Sequence, residues 1–179
     1  MKYKIFAICG STRSDSSNLR LLKKIGNLLP PEVSYEIFTE AAEIPHFIPD
    51  LASEGTPQVV IDLRKKIDDA DGIIICTPEY VFSLPAVIKN ILEWMVATVI
   101  FERKPVASIT AAAGGEKAHE SLLLILKTIG ADLREDGQVL IQGVKSKVNV
   151  EGEITDAQTL VNVKRLVEEL MLQIRSKRG

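Results

Sequence analysis

The run Gly72-Ile73-Ile74-Ile75-Cys76 constrains this chain more than any other segment. Three consecutive β-branched residues favour a strand over a helix, and a strand apolar on both faces must be covered on both. Residues 3–9, 105–110 and 139–141 are further apolar runs of strand length, and residues 33–38 alternate as a half-buried strand does.

Between these runs the apolar spacing switches to a helical period. Leu19, Leu22, Gly26 and Leu29 mark one face of a helix that starts near Ser17 and is stopped by Pro30-Pro31. Val60, Leu63 and Ile67 mark a second, with Pro57 in its first turn. Leu84, Ile88, Ile91, Leu92 and Met95 form the inner stripe of a third, for which Ser83 is the expected N-cap and Pro85 a first-turn residue. A leucine-rich helix spans 115–129 and is closed by Gly130. Leu160, Val163, Val167, Leu170 and Ile174 line the last, whose basic end at Arg175, Lys177 and Arg178 suits the negative pole of its dipole. Residues 39–56, which hold Pro45, Pro49 and Gly55, read as one long loop.

Strands alternating with helices specify an α/β fold: a three-layer sandwich with a five-stranded parallel sheet and helices on both faces. A length of 179 residues fits one domain spanning 1–179. Right-handed crossovers favour the strand order 2-1-3-4-5, and ligands of such sheets bind beyond the carboxyl ends of strands 1 and 3. That directs attention to residues 10–18 and 77–83.

Composition narrows the class of partner. Twenty-two Lys+Arg against 24 Asp+Glu leave a net charge of -2, too weak a field for a nucleic-acid binder. Cys9 and Cys76 each end an apolar run instead of forming a spaced framework, which suits a reducing compartment. The apolar stretch at residues 5–9 is too short for a signal peptide, and no stretch approaches the ~18 residues of a membrane helix. A cytoplasmic protein that engages neither nucleic acid nor membrane is expected.

The first loop, Gly10-Ser11-Thr12-Arg13-Ser14-Asp15-Ser16-Ser17-Asn18, gathers hydroxyls, a guanidinium and an amide at a helix amino terminus. Free N–H groups, hydroxyls and the positive helix end are what a phosphate dianion needs. Neither G-x-x-x-x-G-K-[ST] nor G-x-G-x-x-G is present, so a monophosphate held by side chains fits better than a pyrophosphate on bare glycine backbone. The second loop, Thr77-Pro78-Glu79-Tyr80-Val81-Phe82-Ser83-Leu84-Pro85, is a stiff, partly apolar wall. A flat heteroaromatic ring stacks well on such a wall, with backbone N–H groups of Glu79 to Phe82 at its polar edge. The plainer alternatives are a serine-capped polar turn for the first loop and subunit-interface aromatics for the second.

These two loops carry a resemblance. The chain resembles the NADPH-dependent FMN reductase family of flavodoxin-like proteins, whose first loop reads roughly G-S-x-R-x-x-S-x-N. Gly10, Ser11, Arg13, Ser16 and Asn18 match it. The second family loop reads roughly T-P-E-Y-N-x-S-x-P-x-x-L-K-N-x-x-D-W. It is matched by Thr77, Pro78, Glu79, Tyr80, Ser83, Pro85, Lys89, Asn90 and Trp94, with Ile88 for Leu and Glu93 for Asp. The likeness runs through Gly114-Gly115 to the closing helix.

The resemblance implies a flavodoxin-like fold, non-covalent FMN, and NADPH or NADH as reductant. It implies phosphate contacts from Ser11, Arg13, Ser16, Ser17 and Asn18. Ring contacts would come from Pro78, Glu79, Tyr80, Val81, Phe82, Ala112 and Gly114. It implies a homodimer or homotetramer that passes hydride through FMN to a small-molecule acceptor such as a flavin or quinone, with azo dyes and chromate as further candidates. The flavin carries the chemistry, so no catalytic side chain is expected. Backbone N–H groups near 79–82 or Gly114-Gly115 would stabilise charge on the reduced ring. Arg13, Lys117 or a neighbouring subunit would supply a cation for the extra NADPH phosphate.

Two departures stand out. Val81 replaces the family's Asn, and Ala111-Ala112-Ala113-Gly114-Gly115 is shorter and less polar than the usual third loop. Each removes a polar partner worth about 1 kcal/mol, so weaker FMN binding or a changed flavin potential is expected. An FMN-binding electron carrier and a flavin-free interaction protein are the alternative readings; near-neutral charge weighs against the first and the intact Ser11, Arg13, Ser16, Asn18 cluster against the second.

Other motifs fall away. His119-Glu120 lacks the second His of a zinc helix, where Leu123 stands, and His46 is alone in its loop, so no metal site is expected. Cys9 and Cys76 read as buried thiols, and Trp94 as packing or dimer contact. The runs at residues 95–97, 99–101 and 122–126 read as apolar surface covered by another subunit.

Overall fold

The computed structural model describes residues 2–178. Five parallel strands form one sheet: β1 (Tyr3–Cys9), β2 (Val33–Phe38), β3 (Gly72–Thr77), β4 (Val106–Ala112) and β5 (Gln138–Gln142). Their order is β2-β1-β3-β4-β5, as the crossover rule requires. Every residue of β3 and β4 is buried, whereas β2, at one edge, alternates between intermediate and exposed until Phe38. The isoleucine triplet is divided by the pleat. Ile74 enters the layer beneath α1 (Ser17–Gly26) and α6 (Ala157–Arg178), while Ile73 and Ile75 enter the opposite layer. That second layer is covered by α2 (Gln58–Asp68), α3 (Ala86–Met95) and α4 (Glu116–Thr128). Burying each isoleucine stabilises the sandwich by about 1.5–3 kcal/mol.

Local chemistry explains where the elements end. The first helix stops at Gly26, short of Leu29, where the Tyr35 ring presses so closely that a Cβ would lie 2.8 Å from its Cδ1. The third helix starts at Ala86 with Pro85 at its N-cap position. Ser83, expected there, is instead paired to Tyr80 in a tight turn. The fourth helix ends with Ile129 as its cap, and Gly130 follows at φ 80, a conformation that suits glycine. A one-turn helix α5 (Val144–Lys147), not foreseen in the sequence, begins after Gly143 at φ 63.

The long segment 39–56 is fastened to α3. Asn90 accepts from Phe47 N at 2.8 Å and donates to Ile44 O at 3.1 Å and Pro45 O at 3.0 Å. Trp94, fully buried, donates its indole N–H to Pro45 O at 2.7 Å and meets the Phe47 ring edge-on at 5.2 Å. Trp94 is therefore an anchor within its own chain. The apolar runs are likewise largely absorbed internally: Met95, Phe101, Leu122 and Leu126 are buried, leaving Val96, Val99 and Leu124 exposed. Among the described residues, no helix is long and apolar enough to cross a membrane.

Candidate functional site

The loops that follow β1, β3 and β4 meet at the carboxyl end of the sheet. The first leaves β1 through Gly10, whose N–H donates to Cys76 O at 2.8 Å. A Cβ there would lie 2.6 Å from Ile88 Cγ1 and 2.7 Å from Thr77 Oγ1, so the backbone passes directly against β3 and α3. Ser11 is buried, with its Oγ accepting from Arg13 N at 3.4 Å. Ser16 is the N-cap of α1, its Oγ accepting from Leu19 N at 3.1 Å.

Arg20 pairs with Asp15 across this loop, which leaves Arg13 exposed and, among the described residues, outside any ion pair. The N–H groups of Thr12, Ser17 and Asn18 also have no hydrogen-bond partner among the described residues. A free guanidinium beside open N–H groups at a helix amino terminus fits a phosphate ester.

The Asn18 side chain turns into the sheet. It is buried, donating to Ala111 O at 3.1 Å and accepting from the Cys76 thiol at 3.2 Å. It thus ties the first loop to the ends of β3 and β4. Cys76 and Cys9 are register partners on adjacent strands, and burial pushes both thiols up from their ordinary range. Neither is poised as a nucleophile.

The second loop folds into a two-residue hairpin. Tyr80 N donates to Ser83 O and Ser83 N to Tyr80 O, both at 3.0 Å. Val81 and Phe82, at φ 52 and 53, are its central residues, the geometry of a type I′ turn. Such turns favour Asn and Gly, so a valine here is a genuine conformational outlier. The tip is bare: Val81 is 95% and Phe82 81% exposed, with Tyr80 half exposed beside them. The Tyr80 N–H is consumed by the turn, whereas the Val81 and Phe82 N–H groups have no hydrogen-bond partner among the described residues.

Pro78 is buried and Glu79 half-buried, and Glu79 turns away from the hairpin. Its carboxylate accepts from Gly115 N at 2.9 Å, Lys117 N at 3.1 Å and Ala118 N at 3.1 Å. Helix α4 opens on Gly115 at φ 105 with no cap from its own segment, so Glu79 caps it from the second loop. Gly115 N is consequently not available to a reduced ring. Ala112 is buried and Gly114 half-buried, with a Cβ at Gly114 falling 3.4 Å from Glu79 Oε2. Lys117 bonds Glu120 at 2.8 Å on the outer face of α4. A groove of about 360 Å³ lined by Leu28, Pro30, Val167, Met171 and Leu172 opens near the amino ends of the strands, away from these loops.

Residues 3–145 match the family model described as NADPH-dependent FMN reductase. The chain belongs to that family. It is an FMN-dependent oxidoreductase that draws on NAD(P)H. It is 29% identical to an NAD(P)H-dependent FMN reductase of Pseudomonas aeruginosa, over 98% of this chain and 97% of that one. It is 28% identical to a 2-hydroxy-1,4-benzoquinone reductase of a Burkholderia species, over 99% of this chain and 100% of that one. Among solved structures it resembles a flavoenzyme NAD(P)H:(acceptor) oxidoreductase from Paracoccus denitrificans, with a TM-score of 0.78 and 24% identity over 97% and 98% of the two chains.

Asn18 and Glu79 are both named from their loops, but the sequence does not show where their side chains turn. Nothing in the spacing shows that Asn18 points into the sheet. The signal for Glu79 was legible only in outline: a helix opening on Gly114-Gly115 with no Ser, Thr, Asp or Asn needs its cap from elsewhere.

Proposed function

We propose that this reductase holds FMN at the three converging loops and serves planar quinone- or flavin-like acceptors. The observation that carries the reading is the Arg13 guanidinium beside the Thr12, Ser17 and Asn18 N–H groups, all without a partner among the described residues. Arg13, Ser11 and Ser17 would hold the phosphate with those N–H groups, while the Ser16 and Asn18 side chains keep the loop in shape. Pro78, Glu79, Tyr80, Val81 and Phe82 would flank the ring on one side and Ala112 and Gly114 on another. When bound, FMN accepts hydride from NAD(P)H and releases electrons to the acceptor. The Val81 and Phe82 N–H groups, which have no hydrogen-bond partner among the described residues, would donate toward the ring's polar edge. The exposed Tyr80, Val81 and Phe82 side chains present an apolar surface to a flat acceptor.

Quinone specificity in the Burkholderia relative's name supports this acceptor class for a chain aligned along its whole length. Exposed Val96, Val99 and Leu124 support assembly of like chains, as a dimer or tetramer. Two free buried cysteines fit a cytoplasmic location.

The deciding test is a visible spectrum after FMN addition and desalting, followed by anaerobic NADPH and then NADH. A retained flavin band that bleaches is the expected result. A retained band that bleaches with neither makes the protein an electron carrier, and no retained band overturns the FMN site.

A further inference from the structure

We propose that Glu79 is a positioning residue that sets the balance between oxidised and reduced flavin, by placing its negative charge on the amino end of α4. This rests on the FMN reading above. Three N–H groups of the first turn of α4, from Gly115, Lys117 and Ala118, converge on one carboxylate. The amino end of a helix carries roughly half a positive charge, concentrated on those groups. That end belongs to the loop after β4, and Glu79 belongs to the loop after β3; both border the crevice at the carboxyl end of the sheet.

An uncovered helix end at such a place would favour an anion in the crevice. Covered by Glu79, it does not. The hydride from NAD(P)H brings two electrons and one proton, so the ring gains one negative charge as NAD(P)⁺ gains one positive. The capped helix end therefore withholds stabilisation from the reduced ring and keeps its electrons transferable to the acceptor. Position 115, the N-cap of α4, holds glycine at φ 105, a conformation that disfavours Ser or Asp there, so the cap comes from the neighbouring loop.

Two substitutions separate charge from shape. Glu79→Gln keeps an acceptor oxygen and the length of the side chain but removes the charge. Glu79→Asp keeps the charge but shortens the reach to α4. The measurements are dissociation constants of oxidised and reduced FMN, with urea unfolding of the flavin-free protein alongside. In Glu79→Gln the preference for reduced over oxidised FMN is expected to rise on the order of tenfold. In Glu79→Asp it is expected to stay near wild type although the flavin-free protein loses stability. An unchanged preference in Glu79→Gln, or a shift in Glu79→Asp as large as in Glu79→Gln, overturns the proposal and leaves Glu79 a cap alone. Wild-type protein that retains no FMN overturns the underlying reading and the proposal with it.

Discussion

The Asn18 side chain donates to Ala111 O at 3.1 Å and accepts from the Cys76 thiol at 3.2 Å, joining the first loop to two strands that lie far from it in sequence. A residue whose motif points to phosphate contact is thus the fastening of the loop to the sheet.

Removing that fastening exposes its role. Asn18→Ala leaves Ala111 O without this partner in a buried place and is expected to lower stability by about 1–3 kcal/mol, read by urea unfolding of the flavin-free protein. Asn18→Asp accepts from Cys76 but sets a carboxylate against Ala111 O, and should be at least as damaging. A neutral Asn18→Ala would remove the fastening role.

Val81 should respond in the opposite sense. Its left-handed conformation, at φ 52, disfavours a β-branched residue by roughly 1–2 kcal/mol. Val81→Asn, which tolerates that region, is expected to raise the stability of the flavin-free protein by about 1 kcal/mol, whereas Val81→Ile leaves it unchanged. Thermal unfolding of the three proteins checks the ordering, and equal midpoints would show that the turn is unstrained.

Arg13 is tested by the ligand that lacks its target. Arg13→Ala should weaken FMN binding roughly 10–100-fold, the loss of a charge-assisted contact, with little change for riboflavin, which has no phosphate. Lys89, paired with Glu93 on α3, serves as the control, and Lys89→Ala should leave FMN affinity nearly intact. Fluorescence titration gives all of these constants. Equal losses in the two variants would take Arg13 out of the phosphate site.

His119 gives the fold a weak acid sensitivity. Its Nδ1 lies 3.1 Å from Thr110 Oγ1, and burial holds the imidazole below its ordinary range, with Glu120 opposing. The unfolded chain therefore takes a proton near pH 6.5 that the folded chain resists. Stability is unaffected by this ring above that pH and falls as pH drops from about 6.5 through the folded-state value. His119→Gln should show a smaller loss of urea midpoint than wild type between about pH 7.5 and pH 5.5; an identical loss assigns the sensitivity elsewhere.

Much of the fold was written in local pattern. The isoleucine triplet, the alternating segment at β2 and the helical stripes predict strand order and layers because each depends on burial along one element. The polar first loop and the apolar second loop were legible too, since their residue types lie side by side in the chain. Ser83 was misplaced for a physical reason: Ser is a good N-cap, but its backbone was already committed to Tyr80, and Pro85 took the position.

By itself, then, the sequence determined the sandwich, the two signature loops and the family they belong to. Tertiary structure alone decided where Asn18 and Glu79 point, which N–H groups remain free, and that Trp94 anchors its own chain through Pro45. The reason is range. Periodicity and capping are set by neighbours within a few residues, whereas a side chain at the end of a strand chooses among partners brought to it by the whole sheet. The carboxylate of Glu79 meets α4 because parallel β3 and β4 end side by side, and that adjacency exists only in the folded chain.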